Sequence, residues 1–351
     1  MARETLSLKI NKGDLIDSRY LVLKKLGEGG CGSVFRCRSI KDQDREVAVK
    51  ILENPSDEKR FKREAKVLKA VRSNHVIKLL ADGSHDRHMY MVLEFMEGGS
   101  VRDLLSSRGK ISSEEAAWII IMAVRGLRAS KTVHRDLKPE NLLLNKGQNG
   151  RNVPFLIDDA RKGAAIKVAD FGLAKNRDQS QTNLTNTGQI MGTPLYMSPE
   201  QCRNTRDVTT ASDIYSMGII LFELAHGKPP FDADNAYDIM AMHCNEPLAF
   251  PPRLDPRVRN VIAKCTAKTP KDRYRSLLAL ERDLCAVAGI GEPEPDRFRV
   301  GTFLLLLVTF LVVAALLWLV HEDVWKMITD WWSGSGSSHA AVPLLPGSQH
   351  H

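Results

Sequence analysis

No two of the six cysteines (Cys31, Cys37, Cys202, Cys244, Cys265 and Cys285) form a C-x-x-C pair. That scatter argues against a disulfide framework and a cysteine-built metal site, and it suits a reducing compartment. The ten histidines include no H-E-x-x-H or related zinc spacing. The opening stretch MARETLSLKINKGD lacks the apolar core of about 7–15 residues that a cleaved signal peptide needs. No internal repeat occurs.

What is present is a chain of 351 residues with 43% hydrophobic content, enough for two lobes with proper cores. The formal net charge is +8. A surplus of that size suits nucleic acid, an anionic membrane or simply a solvated surface, and charge alone does not choose among them. From Phe303 to Val320, 18 consecutive residues include only Thr309 as a polar side chain. As a helix this run reaches about 27 Å, close to the hydrocarbon thickness of a bilayer, and predicts one membrane span.

Residues 1–19 read as a polar lead-in. Tyr20–Leu26 reads as a strand entering the glycine-rich Gly27-Glu28-Gly29-Gly30-Cys31-Gly32-Ser33-Val34. Glu46–Leu52 is apolar and β-branched and predicts the next strand. A charged helix is expected from about Asp57 to Val71, with Phe61, Ala65 and Leu68 at helical spacing. Strand-like runs follow at Val76–Leu80 and Met89–Phe95. After Gly98-Gly99-Ser100 the pattern turns helical, with a helix starting at Ser112-Ser113-Glu114-Glu115 and running to about Leu127. Ala165–Ala169 reads as a strand, Asp213 to Ala288 as mainly helical, and Gly289–Pro295 as a linker. The tail from Ser333 is rich in Ser, Gly and His and is expected to be disordered.

Chemistry concentrates in His134-Arg135-Asp136-Leu137-Lys138-Pro139-Glu140-Asn141. Asp136 can accept a hydroxyl proton, Lys138 can offset phosphate charge, and Asn141 can give an oxygen to Mg²⁺. The glycine-rich stretch lies between two strands, whereas a dinucleotide fold would open a helix at its last glycine. Glycines there let the backbone close over phosphates. Lys50 ends Val47-Ala48-Val49-Lys50, and an inward lysine on a strand needs anions. Glu64 is the candidate carboxylate partner, with Glu58 as the alternative. Asp170 in Asp170-Phe171-Gly172 ends a strand and can bind Mg²⁺.

In this order and spacing, residues 20–288 resemble the eukaryotic-type serine/threonine protein kinase family, in particular bacterial membrane-anchored kinases. The resemblance implies an α+β, two-lobed fold: a small β-rich N-lobe (20–95) with one main helix and a larger helical C-lobe (96–288). It implies ATP and Mg²⁺. Lys50, Glu64, Asp136 and Lys138 would be catalytic, and Asn141 and Asp170 would hold the metal. Leu26, Val34, Ala48 and Leu143 would sandwich the adenine. Gly27, Gly29 and Gly32 would cover the phosphates, Leu93 would be the gatekeeper, and the backbone of Glu94 and Met96 would bond the adenine edge. Met197-Ser198-Pro199-Glu200 stands where these kinases have A-P-E. By the same resemblance Arg273 pairs with Glu200, and Asp213 braces the catalytic loop. Lys138, and Thr193 in Gly192-Thr193-Pro194, resemble the serine/threonine form, so protein serine and threonine are the expected substrates. Thr185 and Thr187 resemble the paired autophosphorylation sites of the bacterial relatives.

Three departures stand out. The run Gly126–Val133 is short, so the helix end before the catalytic loop must be tight. Lys146–Gly163 is longer than the usual hairpin, and Ser198 replaces alanine. Around the span, Arg297 and Arg299 precede it and Glu322 and Asp323 follow it, which puts the kinase on the cytoplasmic side. Trp318, Trp325, Trp331 and Trp332 are candidates for the far interface. The expected organisation is a lead-in (1–19), a kinase domain (20–288), a juxtamembrane linker (289–302), a transmembrane helix (303–320) and a short extracytoplasmic tail (321–351). A homodimer is a further expectation from the bacterial relatives, and no nucleic-acid partner is expected. The rival reading is a membrane-tethered pseudokinase scaffold, which need not retain Lys50, Glu64, Asp136, Asn141 and Asp170 together.

Overall fold

The computed structural model describes residues 9–29, 32–145, 166–171, 194–203, 207–291, 293 and 300–334. The chain divides into two compact units, residues 1–293 and 294–351.

The first unit opens with a six-stranded antiparallel sheet in the order β1-β2-β3-β4-β6-β5. Its strands are β1 (Leu15–Ile16), β2 (Tyr20–Gly29), β3 (Gly32–Ser39), β4 (Glu46–Leu52), β5 (Leu79–His85) and β6 (His88–Glu94). The two-residue side-chain period of β4 sorts its residues. Val47, Val49 and Ile51 join Tyr20, Phe35, Tyr90 and Val92 in one small core. Ala48 and Leu52 turn to the other face, against Phe61, Ala65 and Leu68 of helix α1 (Glu58–Ala70). Lys50 shares that second face by parity.

The sheet departs from expectation at two places. It starts at Leu15, inside the expected lead-in: Ile16 pairs with Tyr20 and is fully buried. Two residues carry too little pattern to announce a strand. β5 lies later than the Val76–Leu80 run. Its polar Ala81-Asp82-Gly83-Ser84 alternates between half-buried and exposed faces, while Val76 forms only an isolated parallel bridge to Val168.

The rest of the unit is mainly helical: α2 (Val101–Arg108), α3 (Ser113–Ser130), α4 (Pro199–Arg203), α5 (Thr210–His226), α6 (Ala236–Asn245), α7 (Pro256–Cys265) and α8 (Leu277–Ala288). A two-stranded sheet, β7 (Leu142–Leu144) with β8 (Ile166–Val168), lies against this group. Ser112 caps α3 by accepting from Glu115 N. The helix runs past Leu127 to Ser130 and stops at Lys131, whose left-handed backbone (φ +52°) supplies the tight end that the short run demands.

Among its described residues the second unit contains one helix, α9 (Val300–Gly334), which includes the whole apolar run and continues beyond it. Among the described residues no helix is long and apolar enough to cross a membrane. Residues 300–307, 317, 319–320, 322–323 and 334 have side chains or exposure outside that description.

Candidate active site

Helix α1 carries Glu64 on the same face as Phe61, Ala65 and Leu68, the i, i+3, i+4, i+7 pattern of a buried stripe. Burial of that stripe delivers the carboxylate to Lys50. Lys50 Nζ lies 3.0 Å from both Glu64 oxygens and also contacts Asp170 Oδ1. Burial alone would push the Lys50 pKa down, but Asp170 and Glu64 outweigh it and the ammonium is held above its ordinary range. Burial, helped by the charge of Asp170, pushes Glu64 up against the pull of Lys50. The Asp170 side chain is half exposed, and the neighbouring protein still desolvates it enough to oppose its charge, yet Lys50 holds that carboxyl below the usual carboxylate range. Glu58, the alternative partner, instead pairs with Lys62 on the exposed side of α1, at 2.5 Å.

Asp170 follows β8 with a left-handed backbone (φ +54°). Phe171 beside it is buried and packs against His134 at 5.1 Å between ring centroids. His134 donates from Nε2 to Ala169 O (3.0 Å), while Nδ1 accepts from Asp136 N (3.4 Å). The catalytic loop is thereby tied to the strand that ends in Asp170. From below, buried Asp213 on α5 accepts from His134 N (2.8 Å) and Arg135 N (2.9 Å). Burial raises the Asp213 pKa despite those donors.

Pro139–Asn141 forms a 3₁₀ turn. Asn141 Nδ2 donates to Asp136 O (2.8 Å), and Ala169 N donates to Asn141 O (2.9 Å). Lys138 Nζ lies 3.3 Å from Asp136 Oδ2, both side chains being substantially exposed. Glu200 and Arg273 form a bidentate pair at 2.7 and 2.9 Å, and Ser212 Oγ adds a third bond to Glu200.

The residues expected around adenine also gather. Ala48 pairs with Leu93 across β4 and β6, and Val34 and Leu143 pack on the core containing Ala48, Leu93 and Met96. Leu26 is exposed on β2, and Gly27 and Gly32 occupy facing strands. Glu94 N–H is engaged with Lys78 O (3.0 Å), so its carbonyl is the backbone group it can offer. Gly29 closes β2 opposite Gly32. Thr185, Thr187, Gly172, Thr193 and the 146–163 insert lie outside the described residues.

Several groups near the site carry no clear signal in the sequence. Buried Lys167 on β8 reaches Glu94 Oε1 at 2.6 Å, and the only hint is a lysine inside an apolar strand. Arg102 on α2 donates to Glu140 (2.9 Å) and Glu223 (2.7 Å) and contacts the Tyr196 hydroxyl. Nothing in the chain order links these four.

The sequence matches the protein kinase domain family over residues 20–284. The chain belongs to the protein kinase family. It is 34% identical over 290 residues to the serine/threonine-protein kinase PknL of Mycobacterium tuberculosis, a match covering 78% of this chain and 67% of that relative. The serine/threonine-protein kinase PrkC of Bacillus subtilis is 34% identical over 300 residues, 82% of this chain and 43% of PrkC. PknB of Mycolicibacterium smegmatis is 31% identical over 298 residues, covering 80% and 45%. The chain thus spans about two thirds of PknL and less than half of the other two. The kinase is of the eukaryotic-type serine/threonine class, a protein-serine/threonine kinase.

Proposed function

We propose that this kinase transfers the γ-phosphoryl group of ATP, with Mg²⁺, to serine and threonine hydroxyls of proteins while its C-terminal helix anchors it in a membrane. The observation that carries the catalytic part is Lys50, a buried ammonium joined to Glu64 on α1 and to Asp170 beside the Asp136–Asn141 loop. Lys50 is placed to meet nucleotide phosphates. Asp136 orients the attacking hydroxyl and takes its proton, and Lys138 offsets the charge on the transferred group.

The donor set fits a hard cation. Asn141 uses its amide nitrogen on Asp136 O and keeps Oδ1 as a ligand, and the Asp170 carboxylate is half exposed. These two residues would hold Mg²⁺, which when bound neutralises charge on the nucleotide phosphates. Leu26, Val34, Ala48 and Leu143 hold the adenine, with the Glu94 carbonyl and the Met96 backbone at its edge. Gly27, Gly29 and Gly32 cover the phosphates.

The membrane part rests on the Phe303–Val320 run, which lies wholly within α9. Phe310, Leu311, Val312 and Leu316 are more than half exposed, a state that an apolar phase around the helix would relieve. Arg297 and Arg299 before the run and the acids after it support a cytoplasmic kinase. The proposed layout is lead-in 1–19, whose β1 joins the kinase sheet, kinase 20–288, linker 289–302, span 303–320 and external tail 321–351. Autophosphorylation at Thr185 and Thr187 would switch the enzyme on, and self-association would let one copy reach another.

The test is the full chain in detergent with Mg-ATP and a basic protein substrate, read by mass spectrometry. Phosphate on serine or threonine, absent in Asp136→Asn, is expected. ATP binding with no transfer would overturn the catalytic reading in favour of a scaffold. Release of the expressed chain from membranes by alkaline carbonate would overturn the span.

A further inference from the structure

Ser198 begins a local arrangement that ends at the catalytic base. It is fully buried and stands just before α4. Its Oγ accepts from Gln201 N (3.4 Å), and Gln201 Oε1 accepts from Ser198 N (3.0 Å). This reciprocal pair is a capping box, and it fixes the glutamine side chain by its oxygen. The other end of the amide is then aimed. Gln201 Nε2 donates to Arg135 O at 2.8 Å.

Arg135 precedes Asp136 and has φ +69°, in the left-handed region that a residue with a Cβ keeps only where its surroundings fix it. Both of its peptide groups are held. Asp213 takes the N–H at 2.9 Å, and Gln201 holds the carbonyl. That carbonyl belongs to the peptide plane whose nitrogen is that of Asp136. Turning the plane swings the Asp136 carboxylate.

We infer that Gln201 is a positioning residue that sets the orientation of Asp136, and that Ser198 serves to aim it. Gln201 acts on the base through the Arg135 carbonyl. It acts from the short helix that follows Leu195 and Tyr196, so the placement of that segment and the geometry of the base are coupled. The inference rests on Asp136 as the proton acceptor.

Glutamate at position 201 separates the two jobs of the side chain. Gln201→Glu keeps the oxygen that caps Ser198 N, because glutamate serves a capping box as well as glutamine does. It replaces the donor to Arg135 O with an oxygen that repels it. In the full chain, kcat is expected to fall on the order of ten- to hundredfold, as for a small misplacement of a reacting group. KM for ATP should stay near wild type, and the thermal midpoint should fall by less than it does in Gln201→Ala. Gln201→Ala loses both bonds and should lower kcat and the thermal midpoint together. Wild-type kcat in Gln201→Glu would overturn the inference, as would a kcat loss that merely follows a lost thermal midpoint. A wild-type chain that transfers no phosphate would overturn the reading of Asp136 as the base, and this inference with it.

Discussion

His243 lies on α6 with no exposed surface. Its ring has two fixed partners: Nδ1 accepts from the Tyr215 hydroxyl (2.8 Å), and Nε2 donates to Leu195 O (3.1 Å). Phe231 and Tyr215 pack against it edge-on. Burial chiefly, and then the nearby Lys268 ammonium, lower its pKa from 6.5 to about 4. The unfolded chain therefore takes up a proton that the folded chain refuses. The stability from neutral His243 is complete above pH 6.5 and is lost as pH falls toward 4, with no further loss from this group below that. At about 1.4 kcal/mol per pH unit, the full loss is on the order of 3 kcal/mol. The assay is urea unfolding of wild type and His243→Gln at pH 7.5 and pH 4.5. Glutamine can offer an acceptor and a donor but does not titrate in this range. Wild type should lose about 2–3 kcal/mol more than the variant between the two pH values. Equal losses would refute the reasoning, because the carboxylates that titrate in acid are common to both chains.

Two further outcomes are expected from the packing. Lys167→Met removes one partner of the part-buried pair with Glu94, which keeps its bond from Lys78 N, and should cost about 1–3 kcal/mol in urea unfolding, while adding Glu94→Gln should recover part of it. Strict additivity of the two changes would show that the pair is uncoupled. Gly126→Ala would favour an open helix by about 1 kcal/mol, but here the sign should reverse. A Cβ at Gly126 would stand 2.4 Å from His75 O and 2.9 Å from Val168 Cγ2. A raised thermal midpoint in Gly126→Ala would contradict that contact.

Much of the site follows from local pattern. The alternation in β4 puts Lys50 on the face that meets α1, and the spacing of Phe61, Ala65 and Leu68 carries Glu64 with them. Ser112 marks its helix start because a side-chain oxygen there takes a backbone N–H that the helix leaves free. The short run after Gly126 requires an abrupt helix end, which Lys131 supplies. The order of glycine loop, lysine, catalytic loop and Asp170 is a linear property, so it is legible without coordinates.

Other features were decided only in three dimensions. Periodicity states which face a residue takes, not which distant group it meets there. Lys167 and Glu94 are 73 positions apart, and Arg102 reaches Glu223 across 121. Gln201 looks like an ordinary helix residue until its amide is seen on the Arg135 carbonyl. β1 and the polar β5 are strands because neighbouring strands satisfy their backbone groups, not because their side chains call for it. The sequence by itself determined the chemistry and the faces that carry it. The tertiary structure decided the partners, because a hydrogen bond or ion pair between remote segments depends on where the whole chain has placed both of its ends.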